Sequence, residues 1–569
     1  MNYLHISKLT KKKSENDYYL GPWCFDINNI DDIDKSIVNG NLTSEEQKHI
    51  ADYAYKVANK VIPIISVALN KQHGKNFSNI FWEILLKTWT TSSAEYLYFY
   101  YISLKKADML NLSMNVDIDK KFEFSTMEKL RMSYNSQEYI HSVISFLIYN
   151  MNLKNIVFEE RPLIKVRLRR KKKSLLKELA KKVILKLLNN KKSDILIYYG
   201  SPVFSSLSAM FKMRIFHNFA FSYKNTPNNS NAKRQKFETA SVGDSEFEHI
   251  LIRYIEQYIP KSLLNNFSPL LESSLDYKNK RVIVPSPGFY QDAQLIEIAL
   301  AKEYNNAKIV FIQDGAYEMY SLIPESKIYY SICDKFLTWG YANHLGKQNI
   351  FISLCDFVNG NKYNSHRDTT NSILYQTRFT PVHGAPFFLQ IPRDFKDYIL
   401  KRVRFIKYMN RTKYRDNLVL KFKTKSDNNY DDKKIMDSFN VDYNLYADDN
   451  LQINNCKLLY VDYPSSALYI AIVCNTPFIL SFDREMAKLA PDMDRHMKKL
   501  ESLGLLYDNP VNAAERIDEI MQDIDTFWKN IDIQNMRNSF MKEFARQDSN
   551  CKDKVIQSLN NINMLQFRN

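Results

Sequence analysis

Glycine is scarce in this chain, at 12 of 569 residues. That excludes a collagen-like repeat, a Gly-rich low-complexity protein and a linker-dominated architecture. Cysteine is limited to Cys24, Cys333, Cys355, Cys456, Cys474 and Cys551, with no CxxC pair among them. The scatter argues against a zinc site or a disulfide scaffold and fits free buried thiols in a reducing cytosol. No apolar run reaches the roughly 18 residues that a membrane span needs; the longest candidates, 61–69 and 96–104, have the length of core helices. The first 17 residues are polar and Lys-rich and lack the apolar stretch of a secretory signal. Acids are missing from one segment above all: residues 161–192 hold 14 Lys/Arg and the single acid Glu178, while the whole chain has a net charge of +16. The remainder is therefore nearly neutral, and its charge makes no general case for nucleic-acid binding.

What is present is length and apolar mass. A chain of 569 residues with 45% hydrophobic residues, 37 Tyr and 34 Phe should divide into two or more domains. The first 192 residues read as helices around one early strand at 18–25. Thr43-Ser44-Glu45-Glu46 has the form of a capping signal for a helix over 44–60, and 79–90, 92–105 and 136–151 read as further helices. From residue 193 short apolar runs alternate with helical segments. Residues 194–199, 281–285, 308–313 and 335–339 read as buried strands, with an amphipathic helix at 292–304. A polar break at 359–370 precedes a second series, 372–375, 418–422, 457–461 and 477–482, and the last 60 or so residues are helical again. Near-continuous apolar strands alternating with helices predict parallel α/β sheets. The expected organisation is a helical region over 1–192, a Rossmann-like domain over 193–364 and a second over 365–569, facing each other across a cleft, with ligands outside the carboxyl ends of the strands.

Several segments carry candidate chemistry. Gln313-Asp314-Gly315 follows an apolar strand directly, which places the Asp314 carboxylate where it could take a proton from a hydroxyl; Gly315 permits the tight exit. An ordinary Asp-Gly strand-ending turn has the same sequence. Tyr463-Pro464-Ser465-Ser466 follows the strand at 457–461 and opens an apolar helix. Its free N–H groups and hydroxyls suit a phosphate, and a plain serine N-cap accounts for them equally. Lys421 and Lys423, on one face of a strand end, could neutralise a phosphate leaving group or simply be solvated. In the basic segment Leu175, Leu176, Leu179, Val183, Ile184, Leu187 and Leu188 form a helical stripe with Lys177, Lys181, Lys182 and Lys186 mostly off it. This pattern fits an anionic membrane surface or a domain helix with solvated lysines; with no interleaved aromatics it is a weaker match to RNA. His73, His344, His383 and His496 are too dispersed for a metal site, and Asp483 and Glu485 follow a strand end that could contact a nucleotide.

These segments, in this order, resemble the transferases of bacterial O-antigen and surface-carbohydrate (lipopolysaccharide and capsule) loci. Leu20-Gly21-Pro22-Trp23-Cys24 resembles that family's early Leu-Gly-x-Trp-Cys strand, and Leu69-Asn70, His73, Ser78, Phe81-Trp82 and Trp89 follow its next pattern. Gln313-Asp314-Gly315 aligns with its Gln-His-Gly and Thr338-Trp339-Gly340 with its Thr-Trp-Gly. Ser465, Ser466, Leu468, Ala471 and Asn475-Thr476-Pro477 match its hydroxyl-rich helix start, followed by Leu503-Gly504-Leu505 and Ala513-Ala514. Asp314-Gly315 and Ser465-Ser466 are also similar in type and order to the acidic-Gly and Ser-Ser segments of bacterial GT-B sialyltransferases. The resemblance implies a GT-B glycosyltransferase without metal or cofactor, using a nucleotide-sugar donor, such as a CMP-activated sugar acid, and a surface-glycan or lipid-linked acceptor. It implies inversion with Asp314 as base, donor contacts from Ser465, Ser466, Lys421, Lys423 and Gly315, and His73 and Trp82 on the acceptor side. A cytoplasmic enzyme, peripheral on the inner membrane through 161–192 and with no nucleic-acid partner, is the expectation. Asp314 and Tyr469 depart from the family's His and Glu, so a nucleotide-sugar epimerase of similar architecture and a catalytically silent membrane scaffold stand as alternatives.

Overall fold

The computed structural model describes residues 2–9, 17–24, 36–37, 43–110, 112–118, 136–160, 193–198, 218–220, 236–239, 243–273, 277–285, 291–313, 315–316, 319, 324–340, 349–351, 370–377, 395–421, 432–445, 452–484, 489–547 and 551–565. The expected basic helix within 161–192 lies outside them, as do Asp314 and Lys423.

Three sheets, parallel throughout in the described residues, follow one another along the chain. The first joins β1 (Asn2–His5), β2 (Tyr18–Tyr19), β3 (Met114–Ile118) and β4 (Ile156–Glu160) in the order β2-β1-β3-β4. The N-terminal region thus holds four strands where the sequence suggests one. Polar β1 offers no apolar run to read, although Leu4 and Ile6 are buried. The expected strand at 18–25 is short because Pro22 opens a 3-10 turn, Pro22–Cys24, whose Trp23 ring lies against Gly21 so closely that a Cβ there would fall 2.2 Å from it.

Two long helices, packed against each other, lie between β2 and β3 in the chain. In α1 (Ser44–His73) the capping box forms: Glu46 N–H donates to Thr43 Oγ1 at 3.1 Å and Thr43 N–H to Glu46 Oε2 at 2.8 Å, while Gly74 closes the helix at φ 58°. α2 (Asn79–Asp108) is one 30-residue helix rather than the two expected. Its polar run Thr90-Thr91-Ser92-Ser93 breaks the apolar pattern but is wholly buried. Further along lie α3 (Gln137–Asn150), α4 (Glu246–Tyr258), α5 (Phe267–Ser273), α6 (Asp292–Asn305), α7 (Pro324–Ile332), α8 (Phe395–Met409), α9 (Asp432–Ser438), α10 (Ser466–Cys474), α11 (Pro491–Ser502), α12 (Pro510–Ile520), α13 (Ile524–Trp528), α14 (Ile531–Phe544) and α15 (Cys551–Leu565).

The second sheet contains β5 (Ile195–Tyr198), β6 (Asn218–Ala220), β7 (Val282–Val284), β8 (Lys308–Ile312), β9 (Lys335–Thr338) and β10 (Asn349–Phe351), in the order β10-β9-β8-β7-β5-β6. Its side chains alternate between two cores. Ile195, Ile197, Val282, Val284, Val310, Ile312 and Leu337 join one cluster, and Leu196, Tyr198, Ile283, Ile309, Phe311 and Phe336 join the other. Burial on both faces is why these strands read as unbroken apolar runs. The third sheet contains β11 (Ile373–Gln376), β12 (Leu418–Lys421), β13 (Asn444–Leu445), β14 (Leu458–Val461), β15 (Phe478–Ser481) and β16 (Leu506–Tyr507), in the order β13-β12-β11-β14-β15-β16. All eight strands expected after residue 193 form. The four that the sequence did not suggest, β6, β10, β13 and β16, are the four sheet edges, each two or three residues long. The result is an α/β protein, two Rossmann-like sheets preceded by a region rich in helix. α15 returns to the second sheet, with Val555, Leu559 and Ile562 in the same core as Ile195 and Val282.

Candidate active site

Strand order locates the crevices. Counted from β11, the third sheet runs 3-2-1-4-5-6, and its order reverses between β11 and β14; counted from β5, the second runs 2-1-3-4-5-6 and reverses between β5 and β7. Ligands of such sheets bind at the carboxyl ends beside the reversal.

At the β11/β14 reversal a buried polar network stands ready. Asp462 follows β14 directly. Its Oδ2 accepts hydrogen bonds from Arg402 Nε at 2.7 Å, Tyr375 Oη at 3.0 Å and Tyr398 Oη at 3.1 Å. Both charged partners are buried, and the Arg402 guanidinium lies 4.4 Å from the centre of the Tyr398 ring. Burial and the Asp462 charge push the Tyr375 hydroxyl well above the ordinary phenol range, so it stays a donor. Arg402 and Tyr398 come from the first half of α8, the crossover after β11. One residue earlier, Lys401 bonds Asp397 at 2.9 Å and Asp483, which follows β15, at 3.3 Å. Burial opposes the Lys401 charge, but the two carboxylates prevail and raise its pKa. The ends of β11, β14 and β15 are thereby tied to α8. Sequence reasoning missed Asp462, Arg402, Tyr375 and Tyr398, although Asp462 carries the same signal as Asp314, a carboxylate directly after an apolar strand.

Just beyond lies the start of α10. Ser465 is its N-cap, accepting from Ala467 N–H at 3.2 Å, and Ser466 is its first helical residue; both are half-buried. The cap role is therefore real, and it leaves the positive helix end at the carboxyl edge beside Asp462. Lys421 closes β12, its carbonyl accepting from Thr377 N–H and Oγ1 at 3.3 Å each.

The second sheet presents a matching edge. Buried Gln313 spans it: its Nε2 donates to the Gly315 carbonyl at 2.9 Å, and its Oε1 accepts from Trp339 N–H at 2.9 Å. The loop after β8 is thereby stapled to the loop after β9. At the end of β5, Tyr198 donates to Glu297 of α6 at 2.5 Å.

The two edges meet. The ring of Trp339, after β9, stands edge-on to that of Tyr469 in α10, centres 5.9 Å apart. Met319, in the loop after β8, accepts from Ala490 N–H at 2.8 Å immediately before α11. Arg546 N–H donates to the Trp339 carbonyl at 2.6 Å. Gly340, at φ 138°, lies so near that a Cβ would fall 2.8 Å from the Glu543 carbonyl oxygen. Gly315 of the one sheet and Ser465-Ser466 of the other thus belong to facing carboxyl edges.

His73 and Trp82 do not. His73 Nε2 hydrogen-bonds the Leu263 carbonyl at 2.8 Å, and its ring lies 4.4 Å from that of Phe267; burial lowers its pKa and favours the neutral ring. Trp82 donates to Asn70 Oδ1 at 3.0 Å and stacks on Phe267. Asn70 also pairs both backbone groups of Phe77, and Ser78 N–H bonds Glu303 at the far end of α6. α6 descends from the carboxyl edge, so this knot sits at the amino edge of the sheet, away from the facing loops. The Leu-Asn, His, Ser and Phe-Trp pattern is a helix-corner fastening there.

A family model described as the LIC12162 family transferase matches residues 4–559. No curated protein matches the chain. Solved structures similar to it include MurG of Acinetobacter baumannii, at 8% identity and TM-score 0.33 over 64% of this chain and 99% of that one. The Anabaena protein Alr3699/HepE in complex with UDP and glucose gives 12% and 0.34 over 64% and 99%. A Thermobaculum terrenum O-GlcNAc transferase mutant gives 10% and 0.32 over 65% and 67%.

Proposed function

Because the chain belongs to the LIC12162 family of transferases, we propose that it is a glycosyltransferase moving a sugar from a nucleotide-activated donor to a bacterial surface-polysaccharide or lipid-linked glycan acceptor. The observation that carries this reading is the meeting of two Rossmann-type carboxyl edges through Trp339–Tyr469 and Met319–Ala490. Two such edges give one crevice for a donor and one for an acceptor, with the reacting atoms between them.

The third sheet is the donor side. The start of α10, with Ser465 and Ser466, receives the phosphate, and Lys421 and Lys423 add positive charge as the nucleotide leaves. Asp314 is the base. It takes the proton of an acceptor hydroxyl as that oxygen bonds the anomeric carbon, while the carbon–oxygen bond to the nucleotide breaks on the opposite face, inverting the centre. No metal or cofactor takes part. A CMP-activated sugar acid is the donor class favoured by Asp314-Gly315 with Ser465-Ser466. Cys24, Cys333, Cys456 and Cys474 are buried, which suits a reducing cytoplasm.

Thermal unfolding with CMP-, UDP- and GDP-sugars tests the reading. One donor class should raise Tm by several degrees at saturation; if none does, sugar transfer is excluded. Asp314→Asn should keep that rise and lose transfer. Transfer intact in Asp314→Ala removes the base assignment, and isomerisation of a nucleotide sugar without acceptor would identify an epimerase instead.

A further inference from the structure

The middle of α2 is polar and sealed from solvent. The Thr88, Thr90, Thr91 and Ser93 hydroxyls and the Trp89 indole N–H belong to residues more than nine-tenths buried, yet none has a hydrogen-bond partner among the described residues. A hydroxyl inside a helix can return to the carbonyl one turn back, as Ser92 does to Thr88 at 2.6 Å and Ser103 to Phe99 at 2.8 Å. Buried polar groups without partners are rare in folded proteins and point to an occupant. Helical spacing puts Thr88, Thr91 and Ser92 on one face, with buried Glu95 a turn further on.

The fold brings this stretch to a crevice. Ser78, just before α2, donates its N–H to Glu303 near the end of α6 at 3.0 Å. α6 stops two residues later, so α2 packs along it only by running back toward its start. At about 1.5 Å per residue on both helices, Thr88 to Ser93 come level with the first turn of α6. That turn follows β7 and stands at the carboxyl edge of the second sheet, beside the β5/β7 reversal. Its N-cap, Gln291, makes no side-chain cap bond, and the Gln291 Oε1 is itself buried without a partner among the described residues. Asp292 and Glu297 of α6 are buried as well, and Glu297 accepts from Tyr198 at the end of β5. Carboxylates on both helices repel an anion, while the hydroxyls, the indole and the amide suit a neutral ligand that gives and accepts hydrogen bonds. We propose that the Thr88–Ser93 stretch of α2 and the start of α6 bind an uncharged sugar ring. Its role rests on the sugar-transfer reading, under which the ring is the acceptor's.

Saturation-transfer difference NMR on the full chain tests it, with glucose, galactose, mannose, N-acetylglucosamine and, as a charged control, glucuronate. At least one neutral sugar should take up saturation, and glucuronate should not. Thr88→Val with Thr91→Val keeps both shapes and removes two hydroxyls. It should weaken that binding about tenfold. Thermal unfolding of the same variant without sugar should give an unchanged or higher Tm, because the hydroxyls removed are buried and unpartnered. A lower Tm means that the fold itself uses them, and overturns the proposal. Wild-type binding in the variant does the same, as does glucuronate bound as well as the neutral sugars. So does a wild type that takes up none of them, the result expected if water alone fills the site. No nucleotide enters this experiment. Neutral-sugar binding that persists when no nucleotide sugar raises Tm would keep the site and remove only the transferase.

Discussion

Asp462 and Arg402 form the most consequential pair of side chains at the third sheet's edge. Removing one partner of a buried pair leaves the other charge stranded. Arg402→Ala should therefore cost about 3–5 kcal/mol in urea unfolding, whereas Asp462→Asn, which keeps the shape and the tyrosine contacts, should cost less. A second residue sets an acid limit. His141, buried and bonded through Nδ1 to Ser7 Oγ at 2.8 Å, has its pKa lowered to about 4, chiefly by burial and against the pull of Asp117. The unfolded chain takes up a proton at this position first, near the ordinary value of about 6.5. The stabilisation is therefore complete above that pH and is lost as pH falls toward 4, by roughly 3 kcal/mol in all. In His141→Gln that part of the pH dependence should vanish from unfolding free energies compared over the same window. At this scale the sequence was only partly legible. A carboxylate after an apolar strand is visible in both Asp314 and Asp462, but the residue that answers it, Arg402, lies 60 positions away. Only the crossover geometry of α8 makes them neighbours.

Among the elements, buried strands and capped helices were legible because their signals are local: apolar runs for strands covered on both faces, and Thr43 with Glu46 for the start of α1. The sheet edges were not, because two or three residues carry no pattern. α2 was cut in two because a polar run normally means solvent, and here it is enclosed by neighbouring helices. The start of α10 allows a clean separation of cap from ligand site. Ser465→Ala should cost about 1 kcal/mol of stability. If its hydroxyl also meets the donor phosphate, KM for the donor should rise as well; Ser466→Ala, which caps nothing, should raise KM with stability unchanged. Steady-state kinetics alongside thermal unfolding distinguish the two. Gly340→Ala should strain a backbone at φ 138° and drive a Cβ into the Glu543 carbonyl. A loss of about 1–3 kcal/mol is expected, with increased protease cleavage near residue 546 as the direct readout.

The whole molecule is more interlocked than two domains and an appendage. One core runs from the third sheet through α14 and α15 onto one face of the second sheet, and the other joins the opposite face of that sheet to α1, α2 and the N-terminal strands. The second sheet is thus shared by both. Leu559→Ala, far along the chain from β5 and β7, should cost about 2–5 kcal/mol and should accelerate hydrogen exchange in the second sheet.

The return of α15 also bears on how the protein emerges from the ribosome. Domains generally fold as they are synthesised, the N-terminal ones first. Here the face of the second sheet that bears Ile195 and Val282 meets Val555, Leu559 and Ile562 only after another 270 or so residues have been made. At about 5–20 residues per second, that surface waits tens of seconds for its native cover. A nascent chain stalled between β9 and α15 would carry a bare apolar sheet, and it is at that stage that a chaperone has most to protect.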